Sequence, residues 1–155
     1  MYRIREVDGH DDEIADTLAE LHHLTFFHSA PVPEFDWGHW WIAHQDDLPI
    51  AFAGIIPSTH VENAGYFCRV GVLRSHCGHA LQLRLMRAME LRARQNRWRC
   101  IVSDTTDNLV SANNFIRAGY RLYKPRCPWG WPNTLYWRKS LNPAVSSGRA
   151  ARCPR

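Results

Sequence analysis

The sequence predicts an α/β (α+β) fold: a mixed, mostly antiparallel sheet of six to seven strands, flanked by helices, with one parallel pair at its centre. Three observations predict it. The elements read β-α-β-β-β-α-β-α-β-β over 155 residues, a length suited to one domain with a real core. The early strands follow one another through short turns, as in an antiparallel meander. From Tyr66 to Thr105 the order is strand, long helix, strand, and such a crossover requires a parallel pair.

Residues 1–141 read as that single domain, and 142–155, small, polar and basic, as a disordered tail. Tyr2–Val7 alternates Tyr2, Ile4 and the stem of Glu6 against Arg3 and Arg5, an opening strand. After the Asp8-Gly9 turn, Asp11 or Asp12 caps a helix. Its apolar face is Ile14, Leu18, Leu21 and Leu24 or Thr25, spaced by three and four. Phe26–Phe35, broken by Pro31 and Pro33, is a loop or a short interrupted helix. His39–Gln45 and Leu48–Ser58 form a hairpin around Asp46-Asp47, with Trp40, Trp41, Ile42, Ile50 and Phe52 among its core residues.

Gly65–Leu73 is the next strand. Gly78–Asn96 is a long helix that buries Leu81, Leu85, Met86, Met89 and Ala93 and turns Arg84, Arg87, Arg92 and Arg94 outward. Trp98–Thr105 reads as a buried strand, and Ser111–Ala118 as a short helix ended by Gly119. Tyr120–Lys124 and Leu135–Leu141 close the sheet on either side of the loop Pro125–Pro132.

Composition narrows the class. Hydrophobic residues make up 45% and charged residues 22%, which is ordinary for a soluble globular protein. The longest apolar runs, such as Leu48–Ile56, are too short to span a membrane. The charged residues after Met1-Tyr2-Arg3 do not read as a signal peptide, so a cytoplasmic location is expected. Five scattered cysteines without a C-x-x-C pair argue for reduced thiols, against both a disulfide framework and a zinc module. Neither His22-His23 nor His76-x-x-His79 has an obvious third ligand, so no metal is expected. Charge is polarised: residues 1–62 carry twelve acidic and two basic side chains, residues 63–155 three acidic and seventeen basic. The acidic half would attract a cationic partner.

The segment Tyr66–Tyr120 carries the chemistry. A strand ending in Val72 passes through a turn containing Gly78 into the long helix. That arrangement offers free N–H groups and the positive end of a helix dipole to a phosphate-bearing ligand. Val72 is followed by Leu-Arg-Ser-His and then by Cys77-Gly78-His79-Ala80-Leu81-Gln82. Further on, Asn108, Ser111, Phe115, Gly119 and Tyr120 stand at the spacing N-x-x-A/S-x-x-x-Y-x-x-x-G-F. With this order of elements, the chain resembles the GNAT N-acetyltransferase family over about residues 1–141. The first motif is usually R/Q-x-x-G-x-G/A, so Cys77, Ala80 and Gln82 depart from it.

The resemblance implies that the parallel pair splays and that the ligand is acetyl-CoA. Amides of Cys77, Gly78, His79, Ala80, Leu81 and Gln82 would hold the diphosphate, and Val70, Gly71 and Val72 would pair with the pantetheine amides as an added strand. Asn108, Ser111, Asn114 and Phe115 would flank the same arm. The family usually protonates the departing thiolate from a tyrosine at the position held here by Phe115. Tyr120, Tyr123 or a water would have to substitute. For the general base, Asp104 comes first and His60 and Glu62 follow, while Asp104 also reads as a cap of the turn Thr105-Thr106-Asp107.

The tryptophans Trp37, Trp40 and Trp41 and the run Pro128–Pro132 read as packing, with a cation-holding role as the alternative. The implied activity is acetyl transfer to a primary, cationic amine on a small molecule, a protein N-terminus or a lysine. A homodimer is expected by the same resemblance, with neither membrane nor nucleic acid as partner. Phe115 keeps open a second reading, an acyl-CoA-binding protein without efficient turnover. The Arg-rich helix keeps open a third, a nucleic-acid-binding or -modifying relative.

Overall fold

A computed structural model describes residues 1–141; the expected disordered tail lies outside the described residues. The elements are β1 (Tyr2–Val7), α1 (Asp12–Thr25), β2 (His39–Gln45), β3 (Leu48–Pro57), β4 (Ala64–Val72), a 3-10 turn (Arg74–His76), α2 (Leu81–Gln95), β5 (Cys100–Thr105), α3 (Leu109–Arg117), β6 (Arg121–Leu122) and β7 (Leu135–Ser140). The seven strands run β1-β2-β3-β4-β5-β7-β6 across one sheet. The mixed, mostly antiparallel fold that the sequence predicts is therefore the observed one. By contact density the chain divides into two compact units.

The first unit comprises residues 1–56 and 68–89. Its β1 and β2 pair antiparallel from Tyr2↔Gln45 to Val7↔Trp40, and β2 pairs β3 through the hairpin at Asp46, whose φ of 54° makes the tight reversal. Asp11 caps α1, its carboxylate accepting from the N–H of Glu13 and of Ile14. Leu18 and Leu21 drive into a core with Phe35, Trp40, Ile42 and Phe52. Leu24 is exposed, and Thr25 takes the inward place, its hydroxyl donating to the Leu21 carbonyl.

The second unit comprises, among the described residues, 57–67 and 90–141. Here lies the parallel pair, Ala64↔Cys100, Gly65↔Ile101 and Tyr66↔Val102. The ladder stops after three residues. Beyond it the Ser103 hydroxyl donates to the Phe67 carbonyl at 2.7 Å. β5 and β7 pair antiparallel along their whole lengths. Phe115 of α3 stacks on Trp137, with Phe67 and Tyr120 edge-on to it. Gly119 (φ 88°) ends α3 with two return bonds, Gly119 N–H to Ile116 and Tyr120 N–H to Phe115.

Most ends fall within one residue of the sequence reading, and four elements differ by two or more. Positive φ at Gly78 (86°) and Ala80 (56°) delays α2 to Leu81. Asn108 caps α3, which therefore begins at Leu109 and not Ser111. Arg97 (φ 58°) closes α2 and postpones β5 to Cys100. β6 keeps only two residues of its expected five. One expectation is overturned: Cys127 is disulfide-bonded, whereas Cys68, Cys77 and Cys100 are free thiols.

Candidate active site

The turn that follows β4 is built from backbone conformations that side chains normally resist. Gly78 adopts φ 86°, and a Cβ placed there would meet nothing within 4 Å, so the space above it is open. Ala80 takes φ 56° without being glycine, a conformation that costs about 1 kcal/mol. The ladder of α2 begins with Arg84 N–H to Ala80 C=O at 3.1 Å, which leaves the amides from Gly78 to Leu83 ahead of it. Cys77 is exposed, its thiol turned toward the Leu73 and Val72 carbonyls.

The turn is also braced from β1. The Tyr2 hydroxyl lies 3.0 Å from Nδ1 of His76, and its ring is edge-on to both His76 and His79. Arg84 donates to the Tyr2 carbonyl. Val70 and Val72 are half-buried, while Gly71 is buried for a packing reason: a Cβ there would stand 2.1 Å from Thr25 Oγ1 and 2.6 Å from Phe52 Cε1.

In the second unit, Asp104 stands near the end of β5. It does not cap the turn after it. Its Oδ2 accepts from the Tyr66 hydroxyl at 2.5 Å and from the Trp129 indole N–H at 2.8 Å. His60 stacks flat on Trp129, with ring centroids 4.4 Å apart. Tyr136 meets the other edge of Trp129 and takes the Gly130 N–H on its hydroxyl. Burial lowers the pKa of His60, and the Asp104 charge partly opposes that shift. Thus Asp104 and His60, separate in the sequence, meet around one indole. Glu62 is exposed and joins none of the hydrogen bonds or ring contacts of this group.

The other sequence candidates fall as follows. Tyr120 is only 5% exposed, and burial pushes its hydroxyl pKa far up. Tyr123 is pushed up to about 12 by burial, and its hydroxyl has no hydrogen-bonding partner among the described residues. Phe115 is 1% exposed within its aromatic nest. Asn108 uses Oδ1 to accept the Ser111 N–H at 3.0 Å. Ser111 and Asn114 are half-buried along α3. A cavity of about 440 Å³ opens beside Asn108, lined also by Thr105, Asp107, Ala112 and Leu135. Trp40 and Trp41 are core, as expected, and Trp131 is largely exposed.

Sequence reasoning missed Tyr66, Trp129 and Tyr136. The signal was present for Trp129, in the aromatic run between Pro128 and Pro132, but nothing local paired it with Asp104.

The chain thus passes from a strand through a left-handed turn into a helix, beside a briefly paired parallel strand. Residues 10–120 match the model of the acetyltransferase (GNAT) family, and the chain belongs to that family. No curated protein matches it. Among solved structures it resembles aminoglycoside 6′-acetyltransferase type Ii, at 19% identity and TM-score 0.74, over 92% of this chain and 99% of that one. It is similar to yncA from Salmonella typhimurium, solved with acetyl-CoA, at 13% identity and TM-score 0.72, over 96% and 99% of the two chains. It also resembles the ribosomal-protein-S18-alanine N-acetyltransferase of Escherichia coli, at 11% identity and TM-score 0.70, over 99% and 100%. These likenesses carry the fold.

Proposed function

We propose that residues 1–141 act as one domain, a cytoplasmic N-acetyltransferase that moves an acetyl group from acetyl-CoA to a primary, cationic amine by direct attack in a ternary complex. The observation that carries this reading is the open, left-handed turn at Gly78–Ala80 ahead of the α2 ladder, where the resemblance would put the family's cofactor motif. A diphosphate would fit such a turn, because the first amides of α2 precede its hydrogen-bond ladder and nothing lies within 4 Å of a Cβ placed at Gly78.

Acetyl-CoA, when bound, supplies an activated thioester. Amides of Cys77 to Gln82 would hold its diphosphate. The backbone of Val70, Gly71 and Val72 would bind its pantetheine arm, flanked by Asn108, Ser111 and Asn114; Phe115, expected beside them from the sequence, is 1% exposed and would not meet the arm directly. A backbone N–H near Val72 would stabilise the oxyanion. Asp104, directed by Tyr66 and Trp129, would draw the proton from the amine, directly or through a water. Tyr120, Tyr123 or a water would take the place of the absent family tyrosine; the hydroxyl of Tyr123 has no hydrogen-bonding partner among the described residues and so is free to donate.

The acceptor would be a small molecule, a protein N-terminus or a lysine, and the working form a homodimer. Thermal stabilisation by acetyl-CoA, with thiol release on adding polyamines, aminoglycosides, amino acids or peptides, tests this reading. Stabilisation without release across that panel would favour the second one, a binding protein without turnover. The burial of Phe115 where the family has its tyrosine supports that alternative.

A further inference from the structure

We propose that the cleft at the start of α3 binds an organic ammonium ion carrying a compact apolar body. This site goes beyond the acetyl-transfer reading and does not depend on it. The cleft holds about 440 Å³, within the range of about 300–1,000 Å³ usual for small-molecule pockets. Its apolar surface comes from two elements: Leu109 and Ala112 of α3, and Leu135 of β7. Leu109 is 82% exposed and Leu135 44%, so both leave apolar area for a ligand to cover. The walls are held by bonds of their own. Thr106 and Thr134 share a hydroxyl–hydroxyl bond of 2.7 Å, which ties the turn after β5 to the chain entering β7. The Trp137 indole N–H donates to Thr105 Oγ1 at 2.9 Å. β7 lies on the side of β5 away from β4, and Asn108 alone is common to this cleft and the residues assigned to the cofactor.

One lining residue is charged. Asp107 is exposed, and its carboxylate has no hydrogen bond or ion pair among the described residues. No lysine or arginine lines the cleft, and its other polar residues, Thr105, Asn108 and Asn133, are neutral. A bound cation would therefore meet an unpaired negative charge beside apolar walls. The positive end of α3 offsets part of that charge. Asp107 thus sets the preference for a cation, and the leucines supply most of the affinity. A ligand that answers both features joins an ammonium head to a hydrocarbon body.

Amide chemical-shift titration of the full chain tests this with three probes of one shape: phenethylammonium, phenethyl alcohol and hydrocinnamate. Phenethylammonium should half-saturate at about 1–10 mM, as suits so small a ligand. The shifts should fall on Leu109, Ala112 and Leu135. Hydrocinnamate, with the opposite charge, should bind at least about threefold more weakly, and the alcohol between the two. Asp107→Asn keeps a residue that accepts the left-handed backbone of Asp107 (φ 52°). It should weaken phenethylammonium about two- to fivefold and leave the alcohol unchanged. Ala112→Leu fills the cleft and should weaken all three probes. Shifts confined to another surface, hydrocinnamate binding as well as the ammonium, or no effect of Asp107→Asn overturns the proposal. So does loss of phenethylammonium binding in saturating CoA, which would make the cleft part of the cofactor site. A chain that fails to bind CoA leaves these readouts intact and removes only the acetyl-transfer reading.

Discussion

Trp129 donates its indole N–H to Oδ2 of Asp104 at 2.8 Å, and so fastens the loop before β7 to the end of β5. Tyr66 donates to the same oxygen. The carboxylate is thereby aimed by two donors, as a catalytic base or ammonium anchor should be. Asp104→Asn preserves an acceptor for both donors but removes the charge. We expect kcat/KM for the best acceptor to fall by about 10²–10⁴-fold, with the melting temperature and acetyl-CoA affinity little changed. Thiol-release kinetics beside calorimetry would check it, and full activity in this variant would dismiss Asp104 from the chemistry.

His22 supplies a prediction about stability. It is 1% exposed, stacks on Phe26 at 4.7 Å, and neither ring nitrogen has a hydrogen-bonding partner among the described residues. Burial lowers its pKa, and burial lowers those of His44 and His60 also. Below about pH 6.5 the unfolded chain therefore binds more protons at these sites than the folded one. The histidine contribution should be level from there to about pH 8 and should decline as the pH falls beneath about 6.5. His22→Phe keeps the stack and removes the unmet polar atoms; it should raise the melting temperature by about 3 °C, for a gain of about 1 kcal/mol. The gain should be larger at pH 5.5 than at pH 8, and melts at the two values would reveal it.

Ala80 holds φ 56° where the family favours glycine. Ala80→Gly relieves the clash of Cβ with the backbone and should stabilise by about 0.5–1 kcal/mol while acetyl-CoA affinity is kept. Ala80→Val places a branched side chain in the same conformation and should weaken acetyl-CoA more than about tenfold. Equal affinity in all three proteins would show that this residue's conformation does not matter to the ligand.

Restoring the family tyrosine should not come free. Phe115→Tyr would put a hydroxyl between Phe67, Tyr120 and Trp137 at a site that is 1% exposed. A loss of about 1–3 kcal/mol and a melting temperature lower by about 3–8 °C follow. Acetyl-CoA affinity should stay within about twofold. A variant as stable as the wild type would mean that the new hydroxyl has found a partner, and a cleft-facing ring would have to be reconsidered.

Much of the fold was legible because its signals are local and periodic. Leu81, Leu85, Met86, Met89 and Ala93 mark one face of α2 by spacing alone, and all five are buried. The cap at Asp11 and the reversal at Gly119 are equally written in single residues. The candidate site was less legible. Asp104 could be picked out by its place on β5, but its partners are 38 residues earlier and 25 later in the chain. No spacing rule connects them. Left-handed Ala80 and Arg97 were invisible for a different reason: neither residue type advertises positive φ, so the turn chemistry that shortens α2 has no signature.

The bond from Tyr2 to His76 has a practical corollary for anyone purifying this enzyme candidate. An affinity handle fused ahead of Met1 would tug on the residue that braces the diphosphate turn. Material intended for ligand titrations is better freed of any such handle, and comparing tagged with untagged preparations would itself gauge how firmly that brace holds.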